Sequence, residues 1–77
     1  MKKSKLDRSQ TAHNRLWRVA HKKYQETKDL NYLVKSNYHF YVKEDQEYRG
    51  VILSRKEKQK IFNNEKRYVF TYLKNKK

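Results

Sequence analysis

The sequence predicts an α+β fold: an N-terminal helix, a β-hairpin or three-stranded antiparallel sheet, and a C-terminal helix. Three observations lead there. The first third of the chain is amphipathic at helical period, the middle third changes to short aromatic and β-branched runs, and the last third opens with a capping box.

The first helix is expected over residues 9–28. At 100° per residue, Ala12, Leu16, Trp17, Val19, Ala20 and Tyr24 fall on one side, and Ser9 or Thr11 can serve as N-cap. Residues 30–34, 38–42 and 48–53 are the strand candidates, of which 30–34 is equally readable as a continuation of the helix. Lys35-Ser36-Asn37 would turn the first run into the second, and residues 43–47 would form the hairpin loop. Ser54 with Glu57 then matches the capping box. The helix it starts collects Ile61, Phe62, Tyr68, Val69, Tyr72 and Leu73 on one face, with Asn63-Asn64 as the place for a break and Glu65 pointing into the stripe.

Seventy-seven residues suffice for one domain, and a chain of this size buries only about 60% of its unfolded surface. There is no cysteine, hence no disulfide or thiolate-metal staple. The organisation expected is a basic flexible N-terminus over residues 1–8 and a single basic domain over 9–77. No apolar run approaches the roughly 20 residues of a membrane span, and no apolar stretch follows the basic start, so a cytoplasmic protein without a membrane partner is expected.

Charge carries the functional reading. Lys and Arg number 21 against 8 Asp and Glu, a net +13. A lysine-rich coding bias would raise Glu as well, yet Glu occurs five times, so the excess is genuine. It is divided: residues 1–28 and 54–77 each carry +7, while 29–53 carry −1. Such a field attracts polyanions, and phosphate binding needs several cations converging on one backbone. The cations expected to do this are Arg8, Arg15, Arg18 and Lys22 along one flank of the first helix, and Arg55, Lys56, Lys58, Lys60, Arg67 and Lys74 on the last. A merely solvated charged face is the plainer alternative.

Three further side chains are candidates for base stacking or a dimer contact. Phe70 falls about 180° from Ile61 on a continuous helix, between Arg67 and Lys74. That position suits self-association or stacking, and a helix break would remove the anomaly. His39 and Tyr41 would lie opposite the Tyr38, Phe40 and Val42 face of a strand, where RNA readers stack bases; core packing is the competing use of these aromatics.

The sequence therefore points to a small DNA- or RNA-binding protein that is not an enzyme and uses no cofactor or metal. It shows no nucleophile beside a base, no paired carboxylates and no glycine-rich loop, and His13 and His21 stand two turns apart, ~12 Å. The alternatives are a module or small inhibitor docking on an acidic surface of a nucleic-acid enzyme, and a small endoribonuclease toxin using His39 with Arg49 or a Tyr. A homodimer is a further possible partner state.

No family is identified from the residues. The expected order of helix, three strands and helix resembles, in topology alone, the double-stranded-RNA-binding domain and the small mRNA-cleaving toxins built on it. There the last helix presents lysines at its start, as residues 55–60 do here; the characteristic loop with Gly and His is absent.

Overall fold

The computed structural model of the protein describes residues 4–73. The fold is all-α, three helices with no strand among the described residues, which corrects the α+β expectation. Helix α1 spans Lys5–Thr27, α2 Leu30–Arg49 and α3 Arg55–Tyr68, and α3 runs on into a π-helical segment, Val69–Leu73.

Helix α1 starts earlier than its apolar pattern implies. Its N-cap is Ser4, whose hydroxyl accepts from the Asp7 N–H at 3.1 Å, rather than Ser9 or Thr11. The Asp7 carboxylate in the first turn also suits the positive end of the helix dipole. The helix stops at Lys28, which adopts a left-handed φ of 60° and donates its N–H to the Tyr24 carbonyl. Asp29 at once caps α2 by accepting from the Asn31 N–H at 2.9 Å. A link of two residues can only fold the helices back on one another.

The α1–α2 pair is antiparallel. Gln10 donates to the Lys43 carbonyl, His13 meets His39, and the Ser36 hydroxyl donates to the Trp17 carbonyl, so contacts climb one helix as they descend the other. Buried Ala20 and Ser36 are small, which lets the backbones approach. The Trp17 ring is half-buried, edge-on to Phe40 at 5.5 Å, and its indole N–H donates to Asn14. The face of α1 turned to α2 thus includes Gln10, His13, Trp17 and Ala20. Ala12, Leu16 and Val19, placed in the core by the sequence pattern, face solvent, Leu16 at 44% and Val19 at 52% exposure.

All three strand candidates dissolve into α2 and the turn after it. Within the helix, Val34, Tyr38 and Val42 recur every four residues, the two valines buried and Tyr38 meeting Phe62 of α3 edge-on at 5.5 Å. Ser36, His39, Lys43 and Gln46 serve the α1 side. A helix buried on two sides carries large residues around much of its circumference, so its helical period is blurred and short stretches imitate strands. Without a sheet, the likeness to the double-stranded-RNA-binding topology falls away.

Gly50, the single glycine of the chain, ends α2 with φ 69° and donates to the Gln46 carbonyl. The chain then dips so that Leu53 is buried. Gln46 is fully buried beside it and uses both ends of its amide: Nε2 donates to Ser9 and Gln10, while Oε1 accepts from the Leu53 N–H at 3.1 Å. One polar side chain therefore joins α1, α2 and the turn.

The capping box forms as expected, Ser54 accepting from the Glu57 N–H and Glu57 from the Ser54 N–H. Glu57 also pairs with Arg49, fastening the end of α2 to the start of α3. There is no break at Asn63-Asn64. The departure comes at Val69, where π-helical winding adds a residue to the turn. Val69 is fully buried, and Phe70 is carried part of the way back toward the protein, to a half-buried position.

Candidate nucleic-acid interface

The outer face of α3 holds four of the ten candidate cations. Because the capping box fixes its first turn, Arg55, Gln59, Asn63 and Arg67 follow at intervals of four and lie in one row, with Lys56, Lys60 and Asn64 in the next. These residues line one open depression of about 800 Å³. It presents four cations and three amides, and no carboxylate. Gln59 donates to Asn63 at 3.0 Å, so the middle of the row is ordered by its own side chains. None of the four cations is ion-paired with a described carboxylate; among the described residues the ion pairs are Lys43–Glu44, Arg49–Asp45 and Arg49–Glu57.

Lys58 belongs elsewhere. It faces inward and is half-buried, close enough that its charge helps depress the His13 and His39 pKa values. With Tyr38, Arg55, Gln59 and Phe62 it lines a smaller hollow of about 460 Å³ beside the main depression. Arg8, Arg15, Arg18 and Lys22 are all exposed on α1, Arg18 lying over the Trp17 ring at 5.9 Å. Helices α1 and α3 both pack on α2 with no close backbone approach to each other, and the four α1 cations line none of the α3 depression. Lys74 lies outside the described residues.

The stacking candidates are dispersed. His39 sits half-buried between Tyr38, at a ring distance of 4.8 Å, and His13, whose Nδ1 is 2.9 Å from its own. Burial, then the nearby His13, Lys35 and Lys58, lowers the His39 pKa to about 4, so the ring is neutral at pH 7. Arg49, its suggested partner in RNA cleavage, is ten residues along α2, roughly 15 Å away at the helical rise, and is engaged by Glu57. Tyr41 is half-exposed on the other side of α2, in a groove with Glu44, Asp45 and Glu65. Among the described residues no three potential metal ligands gather.

Two features escaped the sequence reading. The His13–His39 pair joins residues on different elements, and no local spacing reveals it. The Tyr41 groove was hidden because residues 38–42 and 43–47 were assigned to a strand and a loop; at helical period, Tyr41, Asp45 and Tyr48 share a face. Compared with known proteins, the chain matches no family model, no curated protein sequence and no solved structure.

Proposed function

We propose that the protein binds nucleic acid through the outer face of α3, with Arg55, Lys56, Lys60 and Arg67 on phosphates. The observation that carries this reading is the carboxylate-free depression along α3, whose four cations have no described ion-pair partner, on a chain of net +13. Unpaired cations spaced along one helix offer several simultaneous phosphate contacts, and the affinity they give falls steeply with salt. Gln59 and Asn63 add neutral donors and acceptors between them, suited to sugar or base edges. Arg18 and Lys22 on α1 supply a separate basic surface, available to a long polyanion that passes both helices. No described helix is long and apolar enough to cross a membrane.

The test is binding of single- and double-stranded DNA and RNA across a salt series. Replacing Arg55, Lys60 and Arg67 by Ala together should weaken binding to every sequence and reduce the salt slope by about 2 to 3, since each phosphate contact contributes about 0.9. Unchanged affinity and slope in the folded variant refute the reading. Weak, non-saturating binding by the wild type points instead to an acidic protein surface as the partner of the same face.

A further inference from the structure

On the far side of α2 from α1's packing face, the α2–α3 junction opens into a groove of about 770 Å³ whose chemistry is opposite to that of the rest of the molecule. Its walls are Tyr41, Tyr48 and Tyr68, and its charged residues are Glu44, Asp45 and Glu65, with no Lys or Arg in the lining. Three of the eight acidic residues of a +13 chain are thus gathered in one apolar-walled place, Glu44 and Asp45 each beside one cation of α2, Lys43 and Arg49, that lies outside the lining, and Glu65 with none. The tyrosine rings are exposed, Tyr48 at 91%. No described side chain donates to the half-buried Glu65 carboxylate. Aromatic faces with carboxylates beside them are the surroundings that accept the cationic heads and apolar stems of Lys and Arg.

A complementary surface exists on the same chain. Ala12, Leu16 and Val19 form an unpartnered apolar strip on α1, and Arg8 and Arg15 border it, lining with Ala12 and Leu16 a shallow depression of their own. Within one molecule the two face apart, the strip on the solvent side of α1 and the groove on the side of α2 away from α1. We propose that the α2–α3 groove receives α1 of a second copy of this chain, Leu16 seated among the tyrosines and Arg8 and Arg15 against Glu44, Asp45 and Glu65.

Charge complementarity argues for this occupant: the groove is the acidic apolar surface, and the α1 strip is the basic apolar one. Two +13 chains repel at long range, but at about 150 mM salt charges beyond ~8 Å are screened, leaving the contacting opposite charges to act. The contact is heterologous. It closes into a dimer only if two such contacts form about one twofold axis, and otherwise it grows head to tail. The inference is independent of nucleic-acid binding and leaves the four cations of the α3 outer face free, the two surfaces sharing only Asn64.

Sedimentation tests it with two variants altered only at exposed or half-buried positions. A groove variant carries Glu44→Lys and Glu65→Lys, and a helix variant carries Arg15→Gln and Leu16→Gln. The wild type should associate between about 10 and about 200 µM, the range of weak transient interfaces. Each variant alone should be monomeric while keeping its helical circular dichroism. An equimolar mixture retains one intact groove and one intact α1, and should recover a species of two chains and no larger. A wild type monomeric throughout the range overturns the proposal. So does a mixture of folded variants that stays monomeric, or variants that associate as the wild type does, which would move the interface elsewhere, for instance to an acidic or nucleic-acid partner's site.

Discussion

His13 on α1 and His39 on α2 share one hydrogen bond between their Nδ1 atoms, 2.9 Å apart, so one ring must donate and the other accept. Both are held neutral, with pKa values lowered chiefly by burial. Protonating the accepting ring removes the acceptor, and protonating either ring places a cation near Lys58, and for His39 near Lys35 as well.

The sign of the pH dependence follows. His39 has a folded pKa of about 4 against an unfolded 6.5, so the unfolded chain takes up the proton first. The stability it contributes is complete above pH 6.5 and is lost as pH falls toward 4. Allowing for solvent screening of a half-exposed ring, the loss should be about 1 to 2 kcal/mol. Glu65 acts in the opposite sense, since burial raises its pKa and acid relieves the charge. Chemical unfolding of a Glu65→Gln variant between pH 7.5 and 4.5 should therefore show the histidine loss more cleanly than the wild type, and His39→Leu in that background should flatten it.

Gln46→Ala should be severe. It opens a cavity at a fully buried site and leaves the Leu53 N–H without its acceptor. A cost of about 2 to 4 kcal/mol is expected, most of the stability of so small a chain. Urea unfolding followed by circular dichroism measures it, and Gln46→Glu should also destabilise, because a carboxylate has no N–H for Ser9 and Gln10.

Lys28→Gly should stabilise. Lys28 holds a left-handed φ of 60° that costs an L-residue about 1 kcal/mol or more, and glycine adopts it freely at a helix C-terminus. The expected gain is about 0.5 to 1 kcal/mol, read as a higher unfolding midpoint with unchanged helical content. Gly50→Ala, at φ 69° with open space around the added methyl, should lose a similar amount through backbone strain alone.

Trp17→Ala should destabilise strongly while Leu16→Ala changes stability by less than about 0.5 kcal/mol, since the indole packs on Phe40 and its neighbour faces solvent. Thermal unfolding of the two variants separates the packed face of α1 from the exposed one.

The legible parts of the chain were those fixed by neighbours in sequence. The Ser54–Glu57 box is complete within four residues, and it appears as written. The first helix was legible too, but Leu16 and Val19 misplaced its face, because side chains such as His13 and Gln10 take the inward positions and hydrogen-bond there. The middle helix was misread from β-branched and aromatic residues whose partners lie on two other helices, where packing overrides propensity. One local signal favoured helix: no Gly or Pro interrupts the chain before Gly50. Of the candidate site, the α3 cations were recognisable by charge and period; that Lys58 turns inward and Phe70 is drawn back by π winding depends on tertiary packing and helix distortion.

That α1 and α3 each pack on α2 with no close backbone approach between them has a consequence for amide hydrogen exchange. The α1–α2 hairpin keeps its own interface if α3 lifts away, so the two parts need not open together. Backbone amides of α3 should exchange through a partial opening in which α3 detaches and the hairpin persists, while those at the centre of α1 wait for global unfolding. A ligand held on the α3 outer face contacts the part that opens first. Its protection should therefore be read mainly in α3, with little change at the slowest amides of α1 unless the ligand stabilises the whole chain.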